Sequence, residues 1–301
     1  MLALMDRLPS PPAAVATILG MTLLSFLPTM QAQTAESPST ATTNRVIVAS
    51  FNVHYVAAGQ ERLDWERRKE AVAAAIAEGE PEIVAFQEME TFDGGHFSER
   101  NLQLDFLLER FPRFQAGAVG DPRVYPWTQP ILFLRERFEL LEQGFFFFSP
   151  TPDQIYSDPW DGRYPAFCSW IRLRERDGGR GFYVYNVHFD YGSRENRLRS
   201  ARLVRRRIAR REHRDEPVIL AGDFNAPRFF RTVRILTEAG FTVAETTGST
   251  VHFARGINLL PAIDHILYSP GLIHEQTVVL RKRYDGVWPS DHYPVFVTLL
   301  W

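Results

Sequence analysis

Between residues 45 and 300 the chain repeatedly runs through a few apolar positions and then stops on a polar one. The β-branched stretch 45–52 (RVIVASFN) reads as a strand. Over 63–78, Trp65, Ala71, Val72, Ala75 and Ile76 recur at helical spacing, and Gly79 and Pro81 close the segment. A short buried strand at 83–87 and a helix at 101–111 follow. Strands are then predicted at 131–134, 138–148, 166–174 and 182–189, with Asp177-Gly178-Gly179 as the turn joining the last two. A long helix covers 194–213, with Leu198, Ala201, Val204 and Ile208 on its apolar face. After a strand at 218–221, a helix at 229–239 is stopped by Gly240, and strands at 262–268, 277–281 and 293–300 finish the chain.

Helices and strands are interspersed, yet several strands follow one another directly as hairpins. That excludes a purely parallel, doubly wound sheet. It favours an α+β sandwich in which helices cover the outer faces of packed sheets. At 301 residues, 45% hydrophobic and 23% charged, the chain can bury a large core without disulfides. The formal net charge of -2 gives no global pull towards polyanions. The one cysteine, Cys168, lies in the apolar run Ala166-Phe167-Cys168-Ser169-Trp170, where a buried inert thiol is expected.

The N-terminus differs in kind. The uncharged run 13–27 is too short to cross a bilayer comfortably and has the form of a signal-peptide core. Cleavage is expected after Met30-Gln31-Ala32, making 1–32 a signal peptide, with an uncleaved anchor as the competing reading. Residues 33–44 are rich in Ser, Thr, Ala and Pro and read as a flexible linker, leaving 45–301 as one domain. The expected location is periplasmic or secreted.

Candidate chemistry sits where strands end. Asn52 closes the first strand, Gln87-Glu88 the second, and His188-Phe189-Asp190 the strand from 182. Asp223-Phe224-Asn225 follows 218–221, Asp264 opens a strand, and Ser290-Asp291-His292 precedes the last one. Each has an ordinary reading: Glu88 meeting water, Asp-Phe-Asn as a turn and helix cap, His188 as a core histidine. Together they point to one rim, because ionisable groups beside core strands are ordinarily paired or bound to metal.

These segments resemble the endonuclease/exonuclease/phosphatase superfamily, the DNase I-like fold. The resemblance rests on Ser50-Phe51-Asn52, Val84-Ala85-Phe86-Gln87-Glu88, Asn186-Val187-His188-Phe189-Asp190, Leu220-Ala221-Gly222-Asp223-Phe224-Asn225, Ile263-Asp264-His265-Ile266 and Ser290-Asp291-His292-Tyr293-Pro294-Val295, in that order. It departs at Tyr191 and His265, where the family often has His and Tyr. The resemblance implies a four-layer α/β/β/α sandwich, its two mainly antiparallel sheets packed face to face, with the site at one edge. It also implies a metal-dependent phosphoesterase, which the leader would make an exported one, with phosphodiesters expected first and inositol-phosphate-type monoesters second. A non-catalytic binding protein on the same scaffold is the reading from another class.

Within that resemblance Glu88, Asn52 and Asp291 are the expected metal ligands. Mg²⁺ is the expected ion and Mn²⁺ a substitute, since the donors are oxygens. Asp264 would fix His292, and either His292 or Asp223 would activate water. Asn225 would donate to a phosphate oxygen, and His188 to the phosphate or the leaving group. Asp190, Tyr125 and Trp288 are the expected substrate contacts. The helix from 194 carries Arg197, Arg199, Arg202, Arg205, Arg206, Arg207, Arg210, Arg211 and Arg214, either a basic surface or a solvated face paired with acids. Expected partners are phosphate esters of nucleic acid, phospholipid or sugar. No protein partner is called for, and a monomer is expected.

Overall fold

The computed structural model describes residues 45–56, 59–89 and 100–301. The leader and linker expected at 1–32 and 33–44 lie outside these. The described elements run β1 (Arg45–Asn52), α1 (Trp65–Gly79), β2 (Ile83–Gln87), α2 (Leu102–Arg110), β3 (Phe114–Gly117), β4 (Ile131–Leu134), β5 (Phe138–Phe147) and β6 (Phe167–Glu175). They continue as β7 (Gly181–His188), α3 (Arg194–Ala209), β8 (Val218–Asp223), α4 (Arg231–Thr237), β9 (Thr242–Val243), β10 (Asp264–Tyr268), β11 (Ile273–Val279) and β12 (Val295–Leu300).

The strands form two six-stranded sheets, ordered β11-β12-β1-β2-β4-β3 and β5-β6-β7-β8-β10-β9. Each sheet holds one parallel pair near its centre, β1 with β2 and β7 with β8. The remaining neighbours are antiparallel. Three apolar layers separate four structural ones. Trp65, Val72 and Ile76 of α1 pack with Leu104 and Leu107 of α2 on Phe51, Phe86 and Phe296. Between the sheets, Val46, Val48, Ile83 and Val297 meet Phe182, Val184, Ile219 and Ile266. On the far side, Leu198, Val204 and Ile208 of α3 and Val233 and Leu236 of α4 cover Tyr183, Tyr185 and Leu220. This is the α/β/β/α sandwich expected from the sequence.

Strand parity makes the site. In β1, Val46 and Val48 face the other sheet, so Ser50 and Asn52 continue on that face. The same alternation runs Ile83, Ala85, Gln87 in β2 and Phe182, Val184, Asn186, His188 in β7. It gives Ile219, Ala221, Asp223 in β8. Along each strand the inter-sheet core turns polar at its last one or two inward positions. A one-residue slip would turn all of these groups outward.

Directly below that polar end the sheets are tied together. Gln87 Nε2 donates to Asn186 Oδ1 at 2.7 Å, and Asn186 Nδ2 donates back to the Phe86 carbonyl at 2.7 Å. Gln129 Nε2 reaches the Phe167 carbonyl at 3.0 Å. Gly222 sits at φ +148, where an added Cβ would lie 2.0 Å from the Val187 carbonyl oxygen of the parallel neighbour. Glycine is therefore required immediately before Asp223.

Some boundaries differ from the sequence pattern. The helix expected over 194–213 ends at Ala209, because Arg211 folds back to donate to the Ile208, Arg214 and Glu216 carbonyls and turns the chain. The strand expected at 277–281 is β11, which starts at Ile273 and is irregular between His274 and Gln276. Edge strands β3 and β9 are too short for a periodic signal. Cys168 is buried, and burial pushes its thiol up, as fits an inert core residue.

Candidate active site

Asp223 is the hub of the polar edge. Its Oδ1 accepts from the Asn225 backbone N–H at 2.8 Å, and its Oδ2 from Asn52 Nδ2 at 3.2 Å. His188 Nε2 lies 3.6 Å and His292 Nε2 3.9 Å from that same Oδ2. Glu88, at the end of β2 with φ +57, accepts from Asn52 Nδ2 at 3.0 Å and stands 3.7 Å from His188 Nε2. Asp264 enters from β10 opposite Asp223 and holds His292 Nδ1 at 2.9 and 3.2 Å. Asp291 receives the Ser290 hydroxyl at 3.3 Å, and that hydroxyl also lies 2.8 Å from the Asn52 carbonyl. Six strand ends from both sheets thus meet.

The electrostatics separate two groups that the sequence left interchangeable. Burial, then the Asp264 charge, raise the Asp223 carboxyl to about 6 against the pull of His292 and His188. Burial alone would lower His292, but Asp264, Asp223 and Asp291 outweigh it and hold the imidazole well above its usual value. Burial works to raise Asp291, and the fields of His292 and His54 overcome it and hold the carboxyl low. In the metal-free protein His292 therefore carries a proton at neutral pH, while Asp223 titrates just below it. NMR titration of the His292 ring should place its proton loss above the ordinary histidine range. Asp264→Ala should move it down, since burial then dominates. An unchanged titration in that variant would dismiss the Asp264–His292 pairing as the cause.

Several expected contacts have other partners. Asn52, expected to offer its amide oxygen to metal, turns Nδ2 to Glu88 and Asp223, while its Oδ1 takes the His54 N–H at 3.0 Å. It braces the two carboxylates. Asp190, expected to touch substrate, is fully buried and accepts the backbone N–H groups of Arg163, Gly192 and Ser193 at 2.6, 2.8 and 2.6 Å. It shapes the turn into α3. Tyr125 packs its ring on Phe145, centroids 4.9 Å apart, at the margin of the inter-sheet core. Trp288, half-buried and beside Asp291 and His292 in sequence, packs on His252 at 4.6 Å and Tyr293 at 5.7 Å. Asn225 has φ +45 and donates Nδ2 to the Phe189 carbonyl at 2.8 Å.

Other residues gain weight only in three dimensions. Arg68 is 0% exposed. Its guanidinium donates to the carbonyls of Val53, His54, Tyr55, Leu63 and Pro289, clamping the loop after β1 to the loop carrying Asp291. Burial lowers it to about 10 despite Asp291, Glu88 and Asp64. Its sequence signal is its spacing: three after Trp65 and four before Val72, it lies on the apolar face of α1. The Tyr164 hydroxyl lies 3.2 Å from His188 Nε2, within a loop that has no periodic pattern.

The donor chemistry fits a hard divalent cation. Glu88, Asp223, Asp264 and Asp291 converge with two imidazoles, and the ligating atoms of Asp223, Asp264 and His292 lie within 4.8 Å of one another. Burial first, and the Asp264 charge second, disfavour the ionised Asp223 carboxyl, and a cation nearby would offset both.

A two-sheet sandwich with carboxylates, imidazoles and amides gathered at one edge defines the DNase I-like class. A family model described as "Endonuclease/Exonuclease/phosphatase family" matches residues 49–292, and the chain belongs to that family. A solved family member from Bacteroides thetaiotaomicron is 26% identical, with a TM-score of 0.74 over 86% of this chain and 98% of that one. A mannosyl-6-phosphatase of the same organism is also 26% identical, with a TM-score of 0.73 over 85% of this chain and 100% of that one. A protein of Acanthamoeba polyphaga mimivirus is 28% identical over 170 residues, 54% of this chain and 59% of that protein. The chain spans less than two thirds of the length of the curated relatives it matches.

Proposed function

We propose that the protein is a metal-dependent hydrolase of phosphate esters, with phosphodiesters as its preferred class. The observation that carries this reading is the hub at Asp223, where Asn52, His188 and His292 surround one carboxylate oxygen beside Glu88. Glu88 and Asp291 would hold the cation, Mg²⁺ with Mn²⁺ as substitute, and Asn52 would keep Glu88 and Asp223 apart. A bound divalent cation supplies charge neutralisation and orientation of the phosphate. Asp223, with Asn52, His188 and His292 around its Oδ2, takes the proton of the attacking water. His292, protonated through Asp264, donates to a phosphate oxygen as charge develops. His188, with the Tyr164 hydroxyl against its Nε2, stands where a leaving oxygen can receive a hydrogen bond.

Charge favours the diester. The guanidiniums nearest the hub are tied to carbonyl oxygens: Arg68 as described, and Arg197 to Asp190 and Tyr191. A doubly charged monoester would meet four carboxylates with the metal and the His292 imidazolium to offset them, and a singly charged diester meets less repulsion. The monoester reading keeps one specific support, the similarity to a mannosyl-6-phosphatase.

Turnover of an artificial phosphodiester and its monoester counterpart, with Mg²⁺, Mn²⁺ or chelator, tests the proposal. Activity should vanish with chelator, return with either ion, and fall by about 10³-fold or more in Glu88→Ala. Chelator-resistant turnover would remove the metal from the mechanism. Export is also proposed, supported by the apolar run at 13–27. Mass spectrometry of the protein from its producing cell should find an N-terminus after Ala32, and a retained leader would overturn cleavage.

A further inference from the structure

Among the described residues, the aromatic side chains with high exposure are Tyr191 at 61%, Phe229 at 64%, Phe230 at 43% and Phe253 at 55%. Tyr191, Phe229 and Phe230 lie on segments that leave site strands β7 and β8, and Phe253 on the loop that leads into Asp264. Tyr191 comes three residues after His188, and its ring stacks on Tyr164 at 6.2 Å. Phe229 and Phe230 follow Asn225 by four and five residues. Phe253 donates its backbone N–H to the Asp291 carbonyl at 3.1 Å. The loop carrying Phe253 also displays Leu259, 92% exposed, and Leu260 before it reaches Asp264.

The display is built. Phe253 and Ala254 stand at φ +53 and +54, a left-handed conformation that side chains other than glycine rarely adopt. Two backbone bonds to the Asp291 carbonyl, from His252 at 2.8 Å and Phe253 at 3.1 Å, hold this turn with the ring in solvent. Cations are interleaved. Arg228 precedes Phe229, Arg255 follows Phe253, and the Arg163 guanidinium lies 5.4 Å from the Tyr191 ring centre. Glu245 lies 3.6 Å from Arg228 and pairs with it, so Arg163 and Arg255 carry the positive charge of this face, while Asp161 accepts the Ser193 hydroxyl.

We propose that the mouth of the site docks on an anionic lipid surface, and that the substrate is a phosphodiester in a lipid headgroup. The inference rests on the phosphoesterase reading for its second half only. Aromatic and leucine side chains next to arginines suit the boundary between headgroups and acyl chains. A nucleic-acid strand suits them less. Leu259 and Leu260 cannot stack on bases, Phe229 and Phe230 meet edge to face at 71°, and the Tyr191 ring is already stacked on Tyr164.

The test uses the compact unit Thr43–Trp301, sedimented in chelator with vesicles of phosphatidylcholine alone or mixed with phosphatidylglycerol. Binding should favour the mixed vesicles and fall about tenfold in the double variant Phe229→Ser, Phe230→Ser. Metal-dependent turnover of a soluble artificial diester should be unchanged in that variant, which also shows that it is folded. No vesicle binding, or binding equally strong in the double variant, overturns the proposal. Binding to a single-stranded oligonucleotide instead, weakened by the same changes, also overturns it and assigns the surface to nucleic acid. Vesicle binding without turnover of the soluble diester by the unmodified unit supports the surface and removes the hydrolase reading.

Discussion

Asp223→Asn should lower kcat on a soluble phosphodiester by about 10³-fold or more while leaving the sandwich folded. Its Oδ2 is the one atom in reach of Asn52, His188 and His292 together. An amide there accepts no proton at neutral pH, and it offers His292 and His188 no charge to face. The fold should tolerate the change because this carboxylate is not what stabilises the molecule. Its folded value of about 6 exceeds the ordinary 3.8, so the folded state holds this proton more tightly than the unfolded chain. Stability from this group is then lost as pH rises from the ordinary value through about 6, and is flat above. Urea unfolding of the wild type across that window should show the decline, and the Asn variant should lack it. A variant that keeps activity within tenfold of wild type would take Asp223 out of the chemistry.

Arg68→Met should destabilise the domain by about 3–5 kcal/mol, the range for removing one partner from a buried charged network. Five carbonyls from two loops would lose their donor, and the bonds to Val53, His54 and Pro289 are buried. Arg68→Lys should recover only part of this, because an ammonium has three donors and no planar fork. Freeing Pro289 from Val53 and His54 should also loosen Asp291 relative to Asn52. Binding of Mn²⁺ followed by calorimetry should therefore weaken in Arg68→Lys even where that variant is folded. A loss below about 1 kcal/mol in Arg68→Met, within the scale of an ordinary hydrogen bond, would show that the loops hold themselves.

What the sequence could and could not disclose follows from locality. Strands β1, β2, β7 and β8 were legible because each is an apolar run that stops on a polar residue. The gathering of Asn52, Glu88, His188, Asp223, Asp264 and His292 was legible for the same reason. The direction of each side chain was harder to read. Asn52 was read as a ligand because amide oxygens bind hard cations, yet the neighbouring His54 N–H takes that oxygen. Asp190 was assigned to substrate because it follows His188, yet three backbone N–H groups fill its carboxylate. Arg68 carries no signal beyond its spacing, because a charge on a helix is ordinarily solvated. Only the carbonyls of Val53 and Pro289, distant in sequence, make it a buried clamp. Tyr164 carries no sequence signal, because nothing local ties it to His188.

The pairing of β1 with β12 sets how the molecule can be handled. Arg45 is the register partner of Leu300, so the sandwich receives its chain and releases it side by side. The polar edge lies at the far end of β1, eight residues along, on the order of 25 Å away at the usual rise per strand residue. An affinity tag, a fluorescent fusion or a solid support joined before Arg45 or after Trp301 therefore meets the pole opposite the catalytic mouth. Immobilised through either end, the protein would face outward, with its polar edge towards whatever flows past.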